Sequence, residues 1–227
     1  MNEGKSNCSY ASNPTPELDL GSNRAIRPAR LIAALGMIGK PMDVRNKERL
    51  IERVSAGESF DFLYFWGHRP TSNGAITNSC LSQWFVAPFR GDELVYRTAE
   101  HYMMARKAEL FDQPELAMRI IGVEDPGRAK SLGRTVERFD EDVWVKHRWK
   151  IVVDGNVLKF SQNPRLRKYL LSTGEKVLVE ASPNDRIWGI GMDAKSPDAS
   201  SPARWEGENL LGFALMEVRA RLSGTAA

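Results

Sequence analysis

The 227-residue sequence predicts a mainly helical α+β fold, one compact domain preceded by an extension, and three observations predict it. Apolar residues recur at helical spacing between recognisable caps over most of the chain after residue 96. Aromatic and β-branched residues concentrate in short stretches broken by turn chemistry, the pattern of a small antiparallel element. The first 28 residues, with Asn13-Pro-Thr-Pro16 and scattered Ser and Asn, show no apolar period and read as a disordered or loosely attached tail.

The elements follow in order. Residues 1–59 form the extension. Its apolar run Leu31-Ile-Ala-Ala-Leu-Gly-Met-Ile38 is far shorter than the roughly twenty residues a bilayer core requires. Arg24, Arg27 and Arg30 leave interfacial contact open, beside the plainer reading of a short buried helix. A second helix carries Leu50, Ile51 and Val54 and ends near Gly57. The character changes at Ser59, where Phe60-Asp-Phe-Leu-Tyr-Phe-Trp-Gly67 reads as a strand and His68-Arg-Pro-Thr-Ser-Asn-Gly74 as turns. A second aromatic stretch from Leu81 to Phe89 enters a tight turn at Arg90-Gly-Asp-Glu93 and returns through Leu94-Val-Tyr96, delivering the chain to a helix capped by Thr98.

Helices follow over 113–121, from Asp125-Pro126, over 139–153, and over 158–163 with 166–171, the last stopped by Gly174. Lys176-Val-Leu-Val-Glu180 is a short strand feeding the loop Ala181-Ser-Pro-Asn-Asp-Arg-Ile-Trp-Gly-Ile-Gly191. After a polar segment, Asn209 caps a final helix with Leu211, Leu215, Val218 and Leu222 on its packed face.

Composition excludes several classes. A net charge of +3 with acidic and basic residues interspersed does not mark a general nucleic-acid binder. Cys8 and Cys80 make neither a secreted disulfide framework nor a zinc pair, which points to a reducing, cytoplasmic setting. Residues 1–19 lack the apolar core of a signal peptide. Gly36-Met-Ile-Gly-Lys40 is too short for a phosphate loop, and Trp188-Gly-Ile-Gly191 lacks the rest of a dinucleotide fingerprint. His68, His101 and His147 fall in separate segments without metal-ligand spacing, and no Gly-x-Ser-x-Gly turn is present. No metal or other cofactor is expected.

The chemistry centres on Glu100. In the first turn after Thr98 the helix dipole and free N–H groups favour an ionised carboxylate. Lys107 lies two turns along the same face, about 10 Å away at the helical rise, with Met103 and Met104 between. Spacing alone favours the plain reading, in which Glu100 complements the dipole, Lys107 snorkels and the methionines are core. Arg128, Lys130 and Arg134 crowd what reads as the start of their helix, where cations oppose the dipole. Such a mismatch hints at a bound anion, although a solvated face explains it too. Glu100, Glu180 and Asp185 together with the tryptophans suit glycosyl chemistry. Breaking a C1′–N bond develops positive charge at the sugar, which a fixed carboxylate stabilises while it activates water.

Six blocks then bear on the choice: Tyr64-Phe-Trp-Gly67, Leu81-Ser-Gln-Trp-Phe85, Tyr96-x-Thr-Ala-Glu-His-Tyr-Met-Met-Ala-x-Lys107, Ala129-Lys-x-Leu-Gly-Arg134, Leu178-Val-Glu-Ala-Ser-Pro-x-Asp-x-Ile-Trp-Gly-x-Gly191 and Asn209-Leu-Leu-Gly-x-Ala-Leu-Met216. In order and spacing they resemble the NADAR family, and the domain so delimited is 60–223. The resemblance implies a metal-independent N-glycosidase acting on a phosphorylated or ADP-ribosylated nucleoside-like substrate. The substrate is either a phosphoribosylamino intermediate of riboflavin biosynthesis or ADP-ribose on guanine in nucleic acid, including ADP-ribosylated DNA; no membrane partner is implied. By motif position Glu100 and Asp185 are the catalytic carboxylates, Asp185 and Trp188 line the sugar and base pocket, and Lys107 holds phosphate or ribose. Lys130 and Arg134 add anion contacts, and Trp84 and Asn209 complete the substrate-binding set. A non-catalytic ADP-ribose or nucleotide-binding module would use the same aromatic and basic residues. The first-turn position implies that Glu100 stays ionised at neutral pH, which leaves the proton donor for the leaving amine unassigned.

Overall fold

The computed structural model describes Met1 and residues 44–224. The expected tail over 1–28, the apolar run at 31–38 and Cys8 lie outside the described residues. The chain divides after Gly39, and the elements below all belong to the unit Lys40–Ala227.

Seven α-helices and four short strands are described. Helix α1 (Lys47–Ser55) starts where the Asn46 side chain accepts from Arg49 N and ends at Ala56, with Gly57 at φ 91° turning the chain away. Its Leu50 is completely buried, and Lys47 Nζ donates to Trp205 O at 2.8 Å. A chain beginning at Ser59 loses this helix and is expected to be about 2 kcal/mol less stable, the worth of one buried leucine. Calorimetry would show its Tm lower by roughly 4–8 °C, and an unchanged Tm would show that α1 only decorates the surface.

Strand β1 (Phe62–Phe65) pairs in parallel with β4 (Val177–Glu180), Phe62 opposite Val177 and Phe65 opposite Glu180. The antiparallel element is confined to β2 (Phe89–Gly91) and β3 (Leu94–Tyr96). Their two-residue turn places Asp92 at φ 48° and Glu93 at φ 65°, as a hairpin turn matched to strand twist requires.

Helix α2 (Ala99–Leu110) is the centre of the molecule: eight of its residues, Ala99 to Ala105 and Ala108, are buried, so it is covered on nearly every side rather than along one stripe. Around it pack α3 (Pro114–Gly122), α4 (Pro126–Gly133) and α5 (Glu141–Gln162). Helix α5 is one continuous element of 22 residues, where the sequence suggested two pieces. Gly155 does not break it; a Cβ there would come within 2.5 Å of Tyr102 Cδ1, so the glycine lets α5 cross close to α2. The break comes at Asn163-Pro164, where proline excludes helical geometry in the preceding residue, and α6 (Pro164–Ser172) follows.

The last helix, α7 (Leu210–Ser223), lies against β4. A Cβ on Gly212 would stand 2.0 Å from Leu178 O, so the two backbones are in direct contact. Among the described residues no helix is long and apolar enough to cross a membrane.

Candidate active site

Thr98 starts α2 by accepting from His101 N at 3.4 Å, while the backbone N–H of Glu100 donates to Gln83 O at 3.0 Å. Those first-turn donors are therefore occupied before the Glu100 carboxyl can use them. The side chain is 2% exposed, and its Oε1 has no hydrogen-bond partner. Burial accordingly pushes its pKa up from 4.5 to about 7, with Lys130 and the Trp84 indole drawing it down, Asp185 raising it and Arg134 drawing it down. The expectation of a fully ionised first-turn glutamate does not hold, because desolvation outweighs a dipole whose nearest N–H groups are already bonded.

A second carboxyl joins it. Glu180 closes β4, its N–H held by Asn209 Oδ1 at 2.9 Å and its carbonyl accepting from Ile190 N at 2.9 Å. Its Oε2 is also buried without a partner. Burial, then repulsion from Asp185 and from Glu100, lifts its pKa to about 8, with Lys130 opposing. In the sequence Glu180 is one carboxylate near a loop, with no role of its own. The signal is its place two residues after buried Leu178, but only the tertiary fold shows what it faces.

The loop after β4 is built around Asp185. Its Oδ1 accepts from Ile187 N at 3.0 Å and Trp188 N at 2.7 Å, and its carbonyl accepts from Gly191 N at 3.1 Å. Close packing explains one of the loop's glycines, since a Cβ on Gly189 would approach Glu180 O to 2.8 Å. The other carboxylate oxygen of Asp185 faces Lys130 Nζ at 3.9 Å.

Lys130 and Arg134 belong to a helix shorter than the sequence suggested. Helix α4 ends at Gly133, so Lys130 lies in its last turn and Arg134 is its C-cap. Both cations then suit the negative end of the dipole, and of the inferred mismatch only Arg128, in the first turn, remains. Their placement beside an acidic group still stands. Lys107 Nζ donates to the last carbonyl of the same helix, Gly133 O, at 3.1 Å, and lies 4.1 Å from the Phe139 ring centroid and 5.6 Å from that of Trp144.

Trp84 is set by α5. Fully buried Lys159 donates to Cys80 O and Ser82 O, each at 2.8 Å, and Asn156 Nδ2 donates to Gln83 Oε1 at 2.8 Å. The Trp84 ring then lies 5.4 Å from that of His68 and 5.9 Å from Lys130 Nζ.

Between these elements opens a cleft of about 400 Å³, walled by Met103, Met104, Trp144 and Trp188, by the cations Lys107, Lys130, Arg134 and Arg186, and by Asp185. Glu100 is not part of this wall but lies within electrostatic range of Lys130, Asp185 and Arg134. Of the sequence-derived site residues, Glu100, Asp185, Lys107, Trp188, Lys130, Arg134 and Trp84 are thus brought together. Asn209 is not among them. It is completely buried at φ 55°, and its amide bridges Leu178 O and Glu180 N rather than capping α7. It holds the strand that presents Glu180.

The same geometry can be set against known proteins. A family model described as the NADAR domain matches residues 64–223. N-glycosidase R617 of Acanthamoeba polyphaga mimivirus is 42% identical over 71% of this chain and 96% of its own length. Riboflavin biosynthesis protein PYRR, chloroplastic, of Zea mays is 35% identical over 67% of this chain, which spans 24% of the maize protein. The NMR structure of the E. coli protein YbiA superimposes with a TM-score of 0.58 at 27% identity, covering 73% of this chain and 87% of that one.

Proposed function

This chain belongs to the NADAR family and is a hydrolase of N-glycosyl bonds; from that premise we propose that it cuts the C1′–N bond of a ribosylated amine whose sugar bears phosphate. The observation that carries the reading is the pairing of the buried Glu100 carboxyl, whose Oε1 has no partner, with a cleft whose wall includes Lys107, Lys130 and Arg134. Lys107, Lys130 and Arg134 hold phosphate, as charged donors do most strongly. Trp188 covers the sugar or base, and Asp185 orients the ribose and keeps Lys130 in place. Ionised Glu100 stabilises the positive charge that develops as C1′–N opens, then takes a proton from the attacking water. The activity resides in the domain 60–223, working in a reducing cytoplasm.

Two substrates share this chemistry: a phosphoribosylamino intermediate of riboflavin biosynthesis, and ADP-ribose on guanine in nucleic acid. A cleft of about 400 Å³ is near the lower end of ligand pockets and suits a ribose phosphate with one ring. Likeness to the maize protein supports the same choice. Chromatographic detection of the freed base and sugar from each substrate decides between them, and release from neither would overturn the reading.

Arg134→Ala is expected to raise KM about tenfold for the phosphorylated substrate, the loss of one charged contact. KM for the dephosphorylated analogue should not move. Equal changes on both would remove Arg134 from the phosphate site. A purely binding module is the weaker alternative, because two buried carboxyl oxygens without partners destabilise the fold.

A further inference from the structure

We propose that Glu180 is the group that protonates the leaving nitrogen, working as an acid opposite the base Glu100, and this role rests on the N-ribosidase reading of the site. The geometry points there first. Glu180 ends β4 next to the loop that carries Asp185 and, like Glu100, stands behind the cleft wall, within electrostatic range of Asp185 and Lys130 on that wall and of Glu100 on α2. Its backbone is fixed at both ends, by Asn209 Oδ1 on the N–H and by Ile190 N on the carbonyl, each at 2.9 Å. Asn209 is itself anchored to Leu178 O at 2.9 Å, and α7 packs directly on this strand through Gly212. Its Oε2 is buried and bonded to nothing in the protein, so it is free for a partner that arrives with the substrate.

The surroundings set the proton inventory. The charged and titratable groups acting on Glu180 are Asp185 from the following loop, Glu100 from α2 and Lys130 from α4. Two carboxylates and one ammonium leave the negative charge in excess, and burial adds to the bias. Burial and two acids against one cation therefore hold Glu180 protonated above the usual carboxylate range, whereas Lys130, Trp84 and Arg134 favour the ionised form of Glu100. Paired carboxyls whose environments separate them in this order are how one site runs acid and base chemistry together.

The step balances. The Glu180 O–H proton passes to the leaving nitrogen, the C1′–N electron pair goes to that nitrogen, and the amine departs neutral. Water attacks C1′, and its proton goes to Glu100. The products are the free amine and a ribose with a hydroxyl at C1′. Glu100 now holds a proton taken from water while Glu180 lacks the one it gave to the amine, and transfer of a proton from Glu100 to Glu180, directly or through solvent, restores the site.

The test compares two leaving groups on Glu180→Gln, which keeps the size of the side chain. A ribosylamine 5-phosphate needs a proton on its leaving nitrogen, and 4-nitrophenyl ribofuranoside 5-phosphate does not need one on its leaving phenolate. The expected result is a loss of kcat of about a hundredfold or more on the amine, in the range of general acid catalysis, with a change under about fivefold on the nitrophenyl compound. In wild type, kcat/KM on the amine falls above about pH 8, and that limb is absent from the variant. The limb is measured with the amine alone, so it tests the role even if the enzyme rejects the nitrophenyl compound. Equal losses on both substrates, an undiminished rate on the amine, or an alkaline limb that survives the substitution would overturn the role. Wild type inactive on both compounds would overturn the N-ribosidase reading itself, and the role with it.

Discussion

Exchanging Glu100 for glutamine is expected to lower kcat by about a thousandfold or more while KM stays within a few-fold. The substitution removes a charge and a base at little cost in contacts, since Oε1 has no partner to lose, the glutamine oxygen can still accept from the Trp84 indole, and the side chain is already enclosed. Stabilising a developing sugar cation and accepting the proton of water are each worth a hundredfold or more. Because one carboxylate performs both, their losses overlap, and a combined loss of about 4 kcal/mol corresponds to three decades in rate. KM is set by Lys107, Lys130 and Arg134 on the cleft wall, which the exchange leaves in place. Single-turnover release of the base from saturated enzyme measures the chemical step directly. A variant within tenfold of wild type would show that Glu100 does not carry the chemistry.

Local chemistry is legible in the sequence and long-range placement is not. The start of α2 can be read because Thr98 caps it through its own side chain, and the Asp125 cap and the hairpin turn at residues 92–93 are likewise matters of a few neighbouring residues. The pairing of β1 with β4 cannot, because a parallel partner lies across a long crossover and Phe62 carries no mark of Val177. Asn209 reads as a helix cap since that is what asparagine before an apolar helix usually does. Direct contact between α7 and β4 turns its amide onto the strand instead. The cluster of Glu100, Lys130, Arg134 and Asp185 is reachable through motif resemblance, yet the protonation of its acids is not. Helix position argues for a charged Glu100, and only burial, a property of the whole fold, reverses that argument.

The double variant Glu100→Gln, Glu180→Gln is expected to be more stable than wild type in alkaline buffer, and by a margin that grows with pH. In the unfolded chain both carboxyls titrate near their ordinary value of 4.5, whereas in the fold they titrate near 7 and 8. Between these limits the native state holds protons that the unfolded chain has released, so the stability of wild type falls as pH rises. Each unit of displacement is about 1.4 kcal/mol, which makes the penalty of the pair several kcal/mol once pH passes 8. Glutamine has no proton to lose, so the variant escapes it. Buried Lys159 acts with the opposite sign: burial lowers its pKa from 10.5 to about 7, so its own penalty fades as pH rises from 7 towards 10.5. Being present in both proteins, it cancels in their difference. Urea unfolding at pH 5, 7 and 9 should therefore give a gap of only about 2 kcal/mol at the first pH, and at the last a variant with several kcal/mol in hand and no activity. A gap that stayed constant from pH 5 to 9 would mean that neither carboxyl is held away from its ordinary titration. A gap that widened would place the cost of the two acids where their use lies, in a folded state kept less stable so that one of them can carry a proton and the other a charge.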